Sequence, residues 1–395
     1  MITLLGWLFS VVLVLIVLPV LVLFVQVLLA CLPARSQRTP QGPRPRVAVL
    51  VPAHNESSVI IATINSIRQQ LLEGDRLVVV ADNCSDDTAA VARAAGAEVV
   101  ERSNDELRGK GYALEFGTRH LASDAPDVMI VIDADCQLGE GTLSRLALRC
   151  IDSGRPTQAL DLMHAPAGAG LKVQLAEFAW CVKNRVRPRG WTWLGLPCPL
   201  MGTGMAFVWK DLALIELASG HIVEDLKMGL DFCRAGKPPL FCPEALVTSY
   251  FPRSDEGLAS QRTRWEHGHL GVILGDAPKL FVESFRRRNW SLLAMTLDLW
   301  VPPLALLTLI LAAGFILSWL ILLLGGPSAP AVISTAGMAI LGVTILLAWS
   351  QFGRAIISFS TLMYAPFYAL KKIPLYLGFL LKRQVEWVRS KRDDH

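Results

Sequence analysis

The stretch MIVIDADCQLGEG, residues 129–141, ends an apolar run in two aspartates one residue apart, Asp133 and Asp135, with Gln137 two further on. On a regular strand Asp133 and Asp135 share a face. Two carboxylates held together repel unless a cation or a proton lies between them. Oxygen-only ligands of this kind suit Mg²⁺ or Mn²⁺, whose shells are completed by phosphate oxygens and water; Gln137 would add a neutral oxygen. Acidic pairs are common in loops, so the weight of this one comes from the buried strand expected in front of it. Two more polar sets end valine-rich runs: PAHNE at 52–56 and ADNCSDD at 81–87. Aspartate and asparagine cap turns, which explains any one set alone. Three sets at the same edge of one sheet weaken that explanation.

The elements that would position these groups alternate. RVAVLVPA, RLVVVADN, AEVVER and DVMIVIDAD read as strands. ESSVIIATINSIRQQLL, SDDTAAVARAAG (with Ser85 or Asp86 as N-cap) and GYALEFGTRHLA read as helices between them. Strands separated by helices predict a mostly parallel sheet covered on both faces, with ligands at the carboxyl ends of the strands. No GxGxxG follows the first strand, so the usual dinucleotide fingerprint is unsupported.

Of the 395 residues, 52% are hydrophobic, and the excess lies at the two ends of the chain. No charge occurs from Met1 to Pro33, a run longer than the ~20 residues a bilayer core requires. A signal peptide would have a basic leader and a shorter apolar stretch, so a retained membrane helix is predicted, kinked at Pro19. A second greasy region, Leu292–Ala348, is divided by GGPSAP at 325–330 into expected spans Leu304–Leu324 and Ala331–Ala348. The preceding NWSLLAMTLDLWVPP fits either an interfacial segment or the start of the first of these spans.

Three spans put Arg35, Arg38, Arg44 and Arg46, then Arg286–Arg288, then Arg354, Lys371, Lys372, Lys382 and Arg383 on one side. That side is predicted to be cytoplasmic, with the N-terminus outside. A fourth span over Ala355–Leu370 is not expected. The stretch is short, contains Pro366, and would export the basic tail KRQVEWVRSKR; interfacial helices fit better. The expected division is a membrane helix at 1–34, a cytoplasmic domain at 45–285, two membrane helices at 290–350, and interfacial helices with a basic tail at 353–395. An integral membrane protein is expected, placed in a bacterial inner (plasma) membrane with the domain on the cytoplasmic side. The net charge of +4 is too small to argue for nucleic acid, and the membrane flanks explain it. Eight cysteines show no zinc spacing and read as reduced thiols.

In order, VPAHNE, ADNCSDDT, RGKGYAL, DADCQ, VEDLKMGL and QRTRW make the chain resemble membrane-embedded family 2 glycosyltransferases, the group that includes cellulose and hyaluronan synthases and ceramide glucosyltransferase. The resemblance implies an α/β GT-A nucleotide-sugar-binding domain inserted between membrane helices. It implies that Asp82 contacts the nucleobase, usually uracil. Pro52, His54, Asn55 and Glu56 would form the first loop of the nucleotide pocket, and Lys110 a glycine-flanked approach to the donor. Asp133 would face the ribose or the metal, Asp135 would hold Mg²⁺ or Mn²⁺ on the diphosphate, and Gln137 would be a third ligand. Asp225 matches the catalytic base with Glu224 beside it. Gln261, Arg264 and Trp265 match the set near diphosphate and acceptor. One departure is VED where several of those synthases carry TED.

The chemistry stands beside the resemblance. A sugar diphosphate leaves well only if its charge is neutralised, which a divalent metal and an arginine do; the acceptor hydroxyl needs a carboxylate to take its proton. One base and no evident covalent nucleophile imply inversion at the anomeric carbon. Other segments keep two readings. The basic, aromatic 183–207 stretch fits an acceptor-binding segment or a membrane-apposed loop. Trp191 and Trp193 fit sugar stacking or interface anchoring, and Gly202–Gly204 close backbone approach or a tight turn. His267 and His269 fit a place near the diphosphate or plain packing. The span count favours a single-addition transferase acting on a lipid or lipid-linked acceptor. The alternatives are a processive polysaccharide synthase and, less favoured, a non-catalytic nucleotide-sugar-binding scaffold. Sugar, acceptor, linkage and oligomeric state are not legible.

Overall fold

The computed structural model describes residues 2–33, 42–220 and 223–381. The uncharged N-terminal run satisfies its backbone internally, as lipid requires: Ile2–Ala30 forms one helix, α1, continuous through Pro19. The chain then builds β1 (Val47–Ala53), α2 (Ile60–Arg68), β2 (Arg76–Asp82), α3 (Thr88–Ala94), β3 (Glu98–Arg102), α4 (Lys110–Leu121) and β4 (Val128–Val131). Alternate residues of β1 bury on opposite faces. Val47, Val49 and Val51 pack with Ile60, Ile64 and Ile67 of α2, whereas Ala48 and Leu50 pack with Leu114 and Leu121 of α4. That double burial is why the strand is apolar at every position. The N-cap of α3 is Asp87, not Ser85 or Asp86. Asp86 still serves the helix start, because its carboxylate accepts the Thr88 N–H at 3.0 Å.

Then come β5 (Gln137–Leu138), α5 (Thr142–Ser153), β6 (Thr157–His164), α6 (Leu171–Cys181), α7 (Arg187–Trp193), β7 (Met205–Val208), α8 (Glu224–Arg234) and β8 (Leu240–Tyr250). The strands form one sheet, ordered β3-β2-β1-β4-β7-β6-β8-β5. The parallel expectation holds for β3-β2-β1-β4. Beyond β4 it fails: β7 is antiparallel to β4 and β6, and β5 to β8, while β6 and β8 are parallel. The strand–helix alternation behind the expectation stops at β4, which passes into β5 through a turn with no helix. The reversal has a use. Because β7 runs against β4, the lead-in to β7 meets the carboxyl end of β4, and Thr203 Oγ1 accepts the Asp133 N–H at 3.1 Å.

The remaining helices are α9 (Asp255–Gly275), α10 (Ala277–Arg286), α11 (Trp290–Leu299), α12 (Leu304–Leu323), α13 (Ala329–Ala348), α14 (Phe359–Met363), α15 (Ala365–Lys371) and α16 (Ile373–Leu381). Three helices among the described residues are long and apolar enough to cross a membrane: α1, α12 and α13 with its π-helical extension to Gly353. They match the expected spans, with α13 starting two residues earlier than expected. The expected basic tail from Lys382 onward lies outside the described residues.

α7 docks directly on α1. A Cβ at Gly190 would sit 2.0 Å from the Gln26 carbonyl oxygen, so only glycine permits the approach. Around that contact Gln26 Nε2 donates to Asp298 Oδ1 at 2.6 Å, and Arg187 Nε donates to Gln26 Oε1 at 3.2 Å. Arg187 also bonds the Asp298 carbonyl at 2.6 Å and lies 3.0 Å from its carboxylate. All three side chains are buried. Each thus finds the partners that a buried polar group requires.

Candidate active site

The carboxyl ends of β1, β2 and β4, the lead-in to β7 and the start of α8 surround a cavity of about 1070 Å³. Pro52, His54, Glu56, Asp82, Lys110, Asp133, Asp135, Gln137, Glu224, Asp225, Gln261, Arg264 and Trp265 all line it. Of the expected site residues only Asn55 does not. Its amide oxygen accepts the backbone N–H groups of Ser85, at 2.7 Å, and Asp86, at 3.3 Å, which ties the first polar loop to the second. The cavity runs on past Trp180, Lys183 and Arg187 to His269, Asp298 and Leu299, beside the apolar helices.

Lys110 is the hub. Its ammonium pairs with Asp133, donates to the Gly202 carbonyl at 2.8 Å and lies 4.0 Å from Glu224. Burial disfavours its charge, but Asp133 and Glu224 outweigh burial and hold it protonated. The flanking glycine serves the protein's own backbone: a Cβ at Gly111 would lie 2.6 Å from the carbonyl oxygens of Leu217 and Ser219. The carbonyls of 217–219 thus press on the first turn of α4, where Lys110 sits.

Glu224 and Asp225 open α8, which buries Met228, Gly229, Leu230, Phe232 and Cys233. Burial raises both carboxyls above their ordinary range. The neighbouring Asp225 adds to the rise at Glu224, and Lys110 opposes it at both. Asp225 Oδ1 accepts the Leu226 N–H at 2.8 Å, so the helix start holds the carboxylate in place. A Cβ placed on Gly202 would lie 3.4 Å from Asp225 Oδ2, 3.6 Å from Lys110 Nζ and 3.9 Å from Asp133 Oδ2. The candidate base, the ammonium and the DxD carboxylate therefore converge on one point.

Asp133 and Asp135 reach the cavity from either end of the turn after β4, with Gln137 exposed at its rim on β5. No three of the histidine, cysteine, aspartate and glutamate side chains among the described residues gather into a ready-made cage. Two carboxylates and an amide oxygen are a hard-oxygen set, which fits a cation that completes its shell with phosphate and water.

Asp82 is committed. Arg102 donates to its Oδ1 at 2.6 Å, and the guanidinium lies 5.6 Å from the Tyr112 ring centroid. Trp265 packs on Trp180 with centroids 4.8 Å apart. Arg264 Nε and Gln261 Oε1 are buried with no hydrogen-bond partner among the described residues, an arrangement that a bound polar group would complete. His269 lines the cavity. Burial, with Lys183 and Arg187 nearby, pushes it down to about 3, so the ring is neutral and Nε2 donates to the Leu299 carbonyl at 3.1 Å. His267 instead meets the Leu375 carbonyl and Phe379, away from the cavity. Trp191 is buried among the apolar helices and Trp193 lines a separate small cavity; the aromatic wall of the main cavity comes from Trp180, Tyr250, Phe251 and Trp265.

Sequence reasoning passed over Asp161 and Arg102, and took Lys183 only as part of the basic 183–207 stretch. Asp161 on β6 is 2% exposed and lines the cavity. Burial and the nearby Asp133 push it up to about 8, and Asn184 Nδ2 donates to it at 2.9 Å. Its signal was present: one aspartate within the otherwise apolar ALDLM run.

A family model described as glycosyltransferase like family 2 matches residues 43–268. The probable glycosyltransferase YdaM of Bacillus subtilis (strain 168) is 26% identical over 246 residues, 58% of this chain and 56% of that protein. Glucosyl-3-phosphoglycerate synthase of Mycobacterium tuberculosis (strain ATCC 25618 / H37Rv) is 38% identical over 96 residues, 22% of this chain and 28% of that one. The chain thus spans about half the length, or less, of the curated relatives it matches. In structure it is similar to the mannosyltransferase PcManGT from Pyrobaculum calidifontis, solved with GDP-Man and Mn²⁺, at TM-score 0.55 and 14% identity over 95% of this chain and 99% of that one. That likeness supports the GT-A architecture with its apolar helices. With the family model covering more than half of its residues, including every strand-end set that meets at the cavity, this chain belongs to glycosyltransferase family 2.

Proposed function

We propose that this protein moves a hexosyl group from a nucleotide sugar, with UDP-sugars the first donors to test, to the hydroxyl of a lipid or lipid-linked acceptor, with inversion at the anomeric carbon. One observation carries the reading: a single cavity runs from the strand ends, with Asp82 and Asp133, to Leu299 beside the apolar helices. A donor that carries its charge at the first end and an acceptor that enters from the second would meet at Asp225.

In this reading Pro52, His54 and Glu56, on the loop that Asn55 ties to the backbone of Ser85 and Asp86, hold the nucleoside together with the Asp82–Arg102 pair. Lys110, Gln261 and Arg264 hold the diphosphate, and Trp265 walls the acceptor. Asp133, Asp135 and Gln137 would hold Mg²⁺ or Mn²⁺, which supplies positive charge to the leaving diphosphate. Asp225 takes the proton of the attacking hydroxyl while the anomeric bond to the diphosphate breaks on the opposite face. Glu224 beside it keeps the field at Lys110 balanced. The domain lies on the cytoplasmic side, because the basic flanks of the three apolar helices fall on its side of the membrane.

The test is a donor screen: purified full-length protein, labelled nucleotide sugars, a lipid extract, and product size as the readout. One discrete glycolipid is the expected product. A polymer ladder would refute single addition, and no transfer from any donor, with any of the extracts, would refute the reading as a whole.

A further inference from the structure

Four basic residues stand at alternate positions from 183 to 189: Lys183, Arg185, Arg187 and Arg189. A π-helical turn, Val182–Val186, joins α6 to α7 beneath them. Such turns are costly and concentrate at functional sites. Three of the four are spent on the fold. Arg185 lies over the Phe352 ring at 5.6 Å, Arg187 is bonded to Gln26 and Asp298, and Arg189 donates to the Ala30 carbonyl at 2.9 Å.

Lys183 is different. It keeps an exposed surface and lines the cavity. Its Nζ sits 5.1 Å from the Trp180 ring centroid, a cation–π contact on the cavity's own wall, where Trp180 packs against Trp265. Among the described residues the ammonium makes no hydrogen bond or ion pair. The charged groups whose fields reach it are Asp225, Asp161 and Asp298, which favour its charge, and Arg187, which opposes it. An ammonium on the cavity wall with no hydrogen bond or ion pair to the protein keeps its three donor positions for water or for a ligand that enters the cavity.

We propose that Lys183 anchors a second anion subsite, on the acceptor side of the cavity, which takes a phosphate group. Resting on the glycosyl-transfer reading above, the inference adds the chemistry of the acceptor. On that reading the donor diphosphate lies at Lys110 and Arg264. Lys183 instead stands on the segment that leads through Arg187 to α1 and α11, and its charge acts on Asp225, where the acceptor hydroxyl arrives. A phosphate-bearing amphiphile entering past Leu299 would seat its headgroup at Lys183.

The same phosphate chemistry could come from the donor, and the experiment separates the two sources. Full-length protein in neutral detergent is titrated with UDP plus Mn²⁺, and separately, at saturating UDP, with dodecyl phosphate; dodecanol is the uncharged control. Lys183→Met should weaken dodecyl phosphate at least about tenfold and leave UDP affinity within about threefold. Lys183→Arg should retain both, and dodecanol should show no dependence on residue 183. If Lys183→Met weakens UDP as much as dodecyl phosphate, Lys183 belongs to the donor and the proposal fails. It also fails if dodecyl phosphate binds the folded wild type and Lys183→Met equally, or binds neither. A wild type that binds no nucleoside diphosphate refutes the transferase reading, while the dodecyl phosphate titration alone still decides the subsite.

Discussion

Replacing Gly202 by alanine tests where the reacting atoms sit. The added methyl would meet Asp225 Oδ2 at 3.4 Å, Lys110 Nζ at 3.6 Å and Asp133 Oδ2 at 3.9 Å, which are contact distances without overlap. Its thermodynamic cost therefore comes from the backbone: Gly202 has φ +91°, and a side chain there costs roughly 1–2 kcal/mol. Against a typical stability of about 5–15 kcal/mol, the protein stays folded and its melting midpoint falls by a few degrees. The kinetic cost is larger. The methyl fills the point on which base, ammonium and DxD carboxylate converge, and a ~1 Å misplacement of reacting groups can cost about 10²-fold in rate. Gly204→Ala is the counterpart. Its Cβ would overlap the Ala159 Cβ at 2.6 Å and Val247 Cγ2 at 2.9 Å, at φ +65°. Overpacking adds roughly 1–3 kcal/mol to the backbone strain, yet no methyl enters the cavity centre. Scanning fluorimetry and initial transfer rates on both variants should show the larger stability loss at 204 and the larger rate loss per folded molecule at 202. A folded Gly202→Ala protein with more than half of the wild-type rate would refute the placement of the reaction at Gly202.

Asp225→Asn should fold, bind nucleoside diphosphate with near-normal affinity and lose about 10²–10⁴-fold in transfer rate, with Glu224→Gln milder; normal turnover by Asp225→Asn would show that the base lies elsewhere. Burial raises the Asp225 and Glu224 carboxyls, so the folded state holds their protons more tightly than the unfolded chain does. Rate should therefore rise, and the stability contributed by this pair should fall, as pH climbs from the ordinary carboxylate range through the raised values; rate profiles and denaturation midpoints measured at matched pH check the opposite slopes. Excess chelator should abolish transfer and Mn²⁺ or Mg²⁺ restore it, whereas activity at full chelation would remove Asp133 and Asp135 from the role of metal ligands. Arg102→Met strands the Asp82 carboxylate and should cost about 3 kcal/mol along with nucleotide affinity, read by chemical denaturation and UDP titration.

What the sequence made legible was whatever depends on local pattern. The apolar runs predicted α1, α12 and α13 to within a few residues, and the valine-rich strands ending in polar sets predicted which ends would meet. Register and pairing across the sheet were not legible. Asp82 reads as free until β2 and β3 are aligned, when Arg102 falls beside it. Asn55 looks like part of a ligand loop until the fold places it against the backbone of Ser85 and Asp86. The antiparallel entry of β7, which delivers Gly202 and Thr203 to Asp133, follows from a strand inserted between β4 and β6, and no periodicity announces that insertion. Lys183 was one of several basic residues in a membrane-flanking run, and only the spending of its neighbours on α1, Asp298 and Phe352 singles it out.

The contact between Gly190 and Gln26, with Arg187 and Asp298 closing round it, changes what shortening this chain would mean. A helix that merely tethers a domain can be cut away or exchanged for another tether. Here α1 supplies Gln26 to the two residues, Arg187 and Asp298, that line the far end of the cavity. Removing residues 2–30 would take the Gln26 amide from between two residues of the cavity wall, leaving a buried arginine and aspartate with their shared partner gone.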